Sequence, residues 1–170
     1  LSRGVVAVRT SSSQVYVGWR LFGNEPSSTA FNLYRSTNGG APMLLNGTPL
    51  TGSTNFVDTS APPTQSNRYF VRAVLNGIEQ ADSASFTMPA NAPVRQYLEI
   101  PLQIPAGGTV NGSNYTYSPG DVSVGDLDAD GEYEYVVKWD PSNQQDNAND
   151  GFTGPVLLDG DVLRCTRDPP

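Results

Sequence analysis

Arg68-Tyr69-Phe70-Val71-Arg72-Ala73-Val74 is the stretch from which the fold is read. It is dense in β-branched and aromatic residues and free of glycine and proline, and Asn76-Gly77 follows it as a turn into residues 81–87. A run of this kind bounded by a turn signal is a strand. The same signature recurs on moving outward. In Gln14-Val15-Tyr16-Val17-Gly18-Trp19-Arg20-Leu21, alternation puts Val15, Val17 and Trp19 on one face. Ala30-Phe31-Asn32-Leu33-Tyr34-Arg35 does the same with Phe31 and Leu33, and Asn38-Gly39-Gly40 closes it with a hairpin signal. Residues 5–8 form a first strand, and residues 42–45 and 55–58 weaker ones. Seven short strands at this spacing predict a β-sandwich over residues 1–89. With 17 glycines and 14 prolines spread through 170 residues, helices have little room, so the whole chain is expected to be all-β.

The first unit resembles a fibronectin type III domain, with an early Trp19, a central Tyr34 and a late Tyr69-Phe70-Val71. That resemblance implies a spacer or binding module, with Trp19, Tyr34 and Tyr69 in the core. Met88-Pro89-Ala90-Asn91-Ala92-Pro93 follows, and its two prolines and small residues predict a stiff linker at 90–93. A second β unit is expected over residues 94–162. It opens with a strand at 97–104, bent at Pro101 and therefore placed at a sheet edge. A long polar loop at 106–120 carries Tyr115 and Tyr117, a last short strand covers 154–159, and residues 163–170 form a tail.

The second unit contains Gly125-Asp126-Leu127-Asp128-Ala129-Asp130-Gly131-Glu132-Tyr133-Glu134. Asp126, Asp128 and Asp130 alternate, Gly131 supplies a bend, and Glu134 lies four residues beyond Asp130. Calcium takes six to eight hard oxygen ligands, which alternating carboxylates in a tight loop provide. Side-chain oxygens of Asp126, Asp128, Asp130 and Glu134, with the backbone carbonyl of Glu132, are the expected ligands. The loop departs from an EF-hand, whose closing glutamate stands at position twelve; here that position is Val137, and strand-like sequence flanks the loop on both sides. Asp and Gly also favour plain turns, so an acidic surface turn is the competing reading.

Charge and composition narrow the function. Residues 1–90 carry six arginines against four acids, whereas residues 91–170 carry three arginines and one lysine against thirteen acids. Two charge regimes suggest two units. An acidic chain without a basic patch is poorly suited to nucleic acid. No apolar run approaches the length of a membrane-spanning helix. The chain has no histidine and one cysteine, Cys165, so histidine-dependent nucleophilic sites and His/Cys zinc sites cannot be built from it. Calcium is plentiful outside cells, which favours a secreted protein.

Taken together, several stretches resemble the rhamnogalacturonan lyases of polysaccharide lyase family 11. They are Arg3-Gly4-Val5-Val6-Ala7-Val8-Arg9, Trp19-Arg20, Phe31-Asn32-Leu33-Tyr34-Arg35, the acidic loop, Val137-Lys138-Trp139-Asp140-Pro141-Ser142-Asn143, Asp146-Asn147 and Gly151-Phe152-Thr153-Gly154. The resemblance covers almost all of residues 3–159. It implies a fibronectin-like domain followed by the first part of a calcium-rich β-propeller, in a secreted bacterial enzyme that cuts the rhamnogalacturonan I backbone of pectin by β-elimination. It also implies that Asp126, Asp128, Asp130 and Glu134 hold calcium, with Asn143 and Asp146 lining a site. A propeller needs several four-stranded blades, and this chain has sequence for about one.

Three functional readings are open. The first is a non-catalytic carbohydrate-binding module for a plant cell-wall polysaccharide, rhamnogalacturonan or a xylan-type polymer. Its candidate residues are Tyr115, Tyr117, Trp139 and Phe152 as stacking rings, and Asn143, Gln144, Gln145 and Asp146 as polar partners, with Trp139 foremost. The second is a lyase working with the residues present. The third is a fragment that holds calcium and nothing else. Elimination requires a base, and Lys138 is the only lysine; beside an acidic loop it is expected to form a salt bridge. An isolated blade would expose strand edges and an apolar face, so either residues 94–159 pack on the first sandwich or two copies associate.

Overall fold

In this computed structural model, residues 1–110, 112–143 and the backbone of 162–167 are described, and every regular element among them is a strand. Alternation builds the first eight: β1 (Val6–Arg9), β2 (Val15–Gly18), β3 (Ala30–Thr37), β4 (Met43–Leu44), β5 (Asn55–Asp58), β6 (Asn67–Leu75), β7 (Ile78–Asp82) and β8 (Phe86–Met88). They form two antiparallel sheets, one ordered β1-β2-β5 and one ordered β4-β3-β6-β7 with β8 also pairing β6. The inward positions of β2, β3 and β6 supply Val15, Val17, Phe31, Leu33, Tyr69, Val71 and Ala73 to one buried cluster. Trp19 joins it edge-on to Phe31, with centroids 5.6 Å apart, a geometry that adds about 0.5–1.5 kcal/mol to simple burial. Trp19 and Tyr69 are thus core residues, as expected. Tyr34 is not; it lies half-buried on the outer face of β3, stacked on Phe70 at 5.3 Å.

One charged residue enters the core deliberately matched. Arg35 has the parity of Phe31 and Leu33 and meets Asp58 at 2.6 Å, with both side chains nearly sealed from solvent. Tyr69 donates to Asp58 Oδ2 at 2.9 Å, and the Ser60 amide and hydroxyl donate to Oδ1 at 2.8 Å each. Burial pushes the Asp58 carboxyl upward, but Ser60, Arg35 and Tyr69 together hold it below its ordinary value. Pairing and hydrogen bonds of this kind are what make a buried charge tolerable, although Arg35 Nε is buried with no hydrogen-bond partner among the described residues.

Two expectations for this unit need correction. The single strand expected at 81–87 is two, β7 and β8. A bulge lies between Arg72 and Val74, and there Ser83 replaces a ladder partner: its amide donates to Val71 O at 2.9 Å and its hydroxyl accepts from Val71 N at 3.0 Å. Residues 90–93, expected as a linker, are fastened to the sandwich. Asn91 N donates to Pro63 O at 2.8 Å, Arg9 Nη1 to Ala92 O at 3.1 Å, and Ala92 is buried in the core. The open edge of β1 offers acceptors that a stiff proline-rich segment can meet, and Arg95 N takes the Arg9 carbonyl at 2.8 Å.

The chain divides into two compact units, Ser2–Glu99 and Ile100–Pro169. The second holds a hairpin of β9 (Gly108–Val110) and β10 (Ser113–Tyr115), then β11 (Tyr117–Gly125), β12 (Glu134–Pro141) and β13 (Val162–Arg167) as a sheet ordered β11-β12-β13. The region 106–120 is therefore largely strand, not a loop; Gly112, with φ of +81°, supplies the turn between β9 and β10. Residues 97–104 adopt no strand, and Pro101 and Pro105 remove two of the donors a ladder would use. Residues 162–167, mostly in the stretch read as a tail, form the third strand of the sheet. The strand expected at 154–159 lies outside the described residues. No helix among the described residues is long and apolar enough to cross a membrane.

Candidate metal centre

The acidic stretch connects two paired strands, with Gly125 opposite Glu134 at the end of the β11–β12 ladder. Between them the chain turns on Ala129 and Gly131, both in the left-handed region at φ of +61° and +93°. Holding a residue with a side chain there costs about 1–2 kcal/mol, which the loop offsets with its own hydrogen bonds. Gly131 N donates to Asp126 Oδ2 at 3.2 Å, Asp130 N to Asp128 Oδ1 at 3.3 Å, and Glu132 N to Asp130 Oδ1 at 2.9 Å.

This folding brings Asp126, Asp128 and Asp130 together, each with a carboxylate oxygen within 4.8 Å of the others. Glu134 is not in that group of three but is tied to the same loop: its Oε2 accepts from Leu127 N at 2.8 Å. Two oxygens, Asp126 Oδ1 and Glu134 Oε1, are buried with no hydrogen-bond partner among the described residues. Buried carboxylate oxygens left bare are costly. A hard cation would satisfy them and cancel the mutual repulsion of three carboxylates, so the donor set fits calcium in kind. Magnesium, which prefers a strict octahedron and retains its water, is less suited to a cluster of protein carboxylates.

The sequence-derived carbohydrate candidates are distributed unevenly. Tyr115 and Tyr117 meet edge to face, 5.6 Å apart and at 89°, both half-buried. Ser142 N donates to Thr116 O at 2.8 Å and Thr116 N to Ser142 Oγ at 3.1 Å, which ties this pair to the far end of β12 next to Asn143. Both amide atoms of Asn143 are shielded from solvent and lack a partner among the described residues. Trp139 is different: at 1% exposure its ring is packed inside the unit and offers no face to a ligand. Its parity on β12 matches that of Val137, which is also buried, so one face of this strand is core. Gln144, Gln145, Asp146 and Phe152 lie outside the described residues. Lys138 pairs with Asp140 at 3.1 Å, in keeping with a salt-bridge role.

The two candidate regions occupy opposite ends of one ladder. Glu134 begins β12 and Pro141, opposite Tyr117, ends it. Seven residue steps at roughly 3.3 Å separate them by about 23 Å. A cation in the acidic loop is therefore too far away to touch a sugar at the tyrosine pair.

Comparison with known families identifies the class. Residues 1–88 match the family described as the rhamnogalacturonan I lyase beta-sheet domain, and residues 97–167 match the C-terminal domain of rhamnogalacturonan lyase family 11. The chain belongs to the family 11 rhamnogalacturonan lyases. It is 45% identical to the rhamnogalacturonan endolyase YesW of Bacillus subtilis over 168 residues, which is 98% of this chain and 25% of that protein. It is 44% identical to the rhamnogalacturonan exolyase YesX of the same organism, again over 98% of this chain and 25% of the relative. A solved Bacillus licheniformis rhamnogalacturonan lyase superposes with a TM-score of 0.71 at 52% identity, covering 91% of this chain and 24% of that one. The chain thus spans about a quarter of the length of these relatives.

Proposed function

We propose that this chain is a calcium-holding, polysaccharide-binding portion of a secreted rhamnogalacturonan lyase, and that it does not carry the elimination step itself. The observation that carries the calcium reading is the meeting of Asp126, Asp128 and Asp130 within 4.8 Å beside two bare, buried carboxylate oxygens. The role of the ion is structural: it ties together the loop that joins β11 to β12, about 23 Å along the ladder from the tyrosine pair.

The polysaccharide reading rests on kinship and on Tyr115, Tyr117 and Asn143. The relatives are named for rhamnogalacturonan, and the chain is about equally similar to an endolyase and an exolyase. What this quarter has in common with both is substrate holding and not the mode of cleavage. The half-buried tyrosines can present ring surface to a pyranose, and Asn143 lies beside them at the end of β12. Against catalysis, the sole lysine is engaged with Asp140 and the chain has no histidine to serve as the base.

Affinity gel electrophoresis with calcium present tests this reading, across rhamnogalacturonan, homogalacturonan, xylan and a β-glucan. Retardation in the rhamnogalacturonan gel, without ultraviolet-absorbing unsaturated product, supports it. Retardation by xylan alone would move the ligand class. Equal mobility in every gel would leave a calcium-bound fragment without a carbohydrate site.

A further inference from the structure

A pocket of about 200 Å³ lies where β1, the edge strand of one sheet of the sandwich, meets β8 of the other, and every residue lining it belongs to the first unit. Its floor is apolar: Ala7, Met88 and Ala92 are core residues, and Phe86 packs against them. Its rim carries Arg9, Arg95 and Tyr97, the last 63% exposed. The Arg95 guanidinium pairs with Glu99 and stands 5.7 Å from the centre of the Tyr97 ring. Arg9 donates through Nε to Ser11 O at 3.2 Å, through Nη1 to Ala92 O at 3.1 Å and through Nη2 to Ser12 O at 3.3 Å. It meets no carboxylate among the described residues. A guanidinium has five N–H donors, so two of them remain. Two arginines against one glutamate leave the lining with a net charge of +1.

An apolar concavity with a few placed polar groups is the form of a small-ligand site, and one below roughly 300 Å³ suits a group the size of a single sugar ring. An apolar floor disfavours a hexose rimmed with hydroxyl groups, which would lose hydrogen bonds to water there, and favours a sugar bearing a methyl group. A surplus cation at the rim favours a carboxylate on the neighbouring sugar. Rhamnogalacturonan, for which the relatives are named, joins both features, a 6-deoxyhexose beside a hexuronate. We propose that this pocket is a rhamnogalacturonan subsite built from residues other than the tyrosine pair. The methyl group of a rhamnosyl unit sits against Met88 and Ala92, the carboxylate of the adjoining galacturonate meets the free donors of Arg9, and the Tyr97 ring flanks the sugar. This assignment rests on the reading that this quarter of the lyase holds substrate.

The test is a methyl-resolved NMR titration of the 170-residue chain, with calcium present, using rhamnogalacturonan oligosaccharides and, separately, oligogalacturonides of equal length. The Met88, Ala92 and Leu98 methyl signals should shift with the first ligand. The affinity read from them should exceed that for the second by at least about 10-fold, the scale set by one methyl group in an apolar pocket. These shifts should persist in Tyr115→Ala/Tyr117→Ala. They should weaken several-fold in Tyr97→Ala, whose exposed side chain can be removed while the remaining spectrum stays unchanged. Shifts confined to the second unit would overturn the pocket and leave the proposed function standing, whereas no shift anywhere would overturn both. Equal affinity for the two ligands would overturn the assignment of the floor to the deoxy sugar.

Discussion

Glu134 accepts the Leu127 amide through Oε2 at 2.8 Å, while its Oε1 stays buried and unpartnered among the described residues. One carboxylate thus shapes the loop with one oxygen, and on the proposed calcium reading the other is available to the ion. Glu134→Gln keeps the size and an acceptor but removes the charge and places a donor at the same spot. We expect calcium affinity to fall about 10–100-fold, in the range seen when groups that orient a metal site are altered. Competition against a fluorescent chelator measures it; unchanged affinity would assign Glu134 to loop geometry only.

Asp58 gives a pH dependence of definite sign. Its folded-state pKa is depressed, so its contribution is present above the unfolded value of about 3.9 and is lost as pH falls through the lower folded value. Asp58→Asn leaves Arg35 buried without a counter-charge and should cost about 3–5 kcal/mol at pH 7. Urea denaturation at pH 7 and pH 3 should show the gap between the two proteins narrowing at the lower pH. A constant gap would mean that packing at Asp58, and not its ionisation, supplies the stability.

Asn46 makes a polar clasp inside the first unit. Its Oδ1 accepts from Leu33 N at 2.7 Å, and its Nδ2 donates to Phe31 O at 3.2 Å, Asn32 Oδ1 at 2.9 Å and Thr48 O at 2.9 Å. Asn46→Ala strands a buried backbone amide, which costs about 1–3 kcal/mol. Thermal unfolding should show a clear drop in Tm, and Asn46→Asp should restore the acceptor for Leu33 but not the donors.

Tyr117→Ala and Tyr115→Ala should each reduce retardation in the rhamnogalacturonan gel, with circular dichroism unchanged. A stacked ring is worth roughly 0.5–1.5 kcal/mol, so a loss of several-fold in affinity is expected from each. Trp139→Ala, by contrast, removes a buried side chain and should lower stability by about 3–5 kcal/mol. Intact mobility shifts in both tyrosine variants would place the sugar elsewhere.

The parts legible in the sequence are those whose partners are close along the chain. Residues 55–58 were bounded as β5, and 68–74 fell within β6, because alternation and turn residues are local signals. The aspartate triad was legible for the same reason, since its members are two residues apart. The Arg35–Asp58–Tyr69 cluster was not, because its members are separated by 23 and 11 residues and meet only when two sheets stack. Trp139, the foremost ring candidate, is instead a core residue, because it shares the parity of the buried Val137 on β12. Residues 97–104 show the reverse: the pattern of a strand is present, but the segment pairs with no strand among the described residues.

Isothermal titration of calcium into chelator-treated protein tests the central claim most directly. One saturable site is expected in the native chain, and none in Asp128→Ala/Asp130→Ala, with the native protein melting at a higher temperature when calcium is bound. At a hundredfold excess over the dissociation constant the added stability should be about 2.7 kcal/mol. Absence of binding heat in the native chain, with a melting temperature indifferent to calcium, would contradict it and leave the loop as an acidic turn.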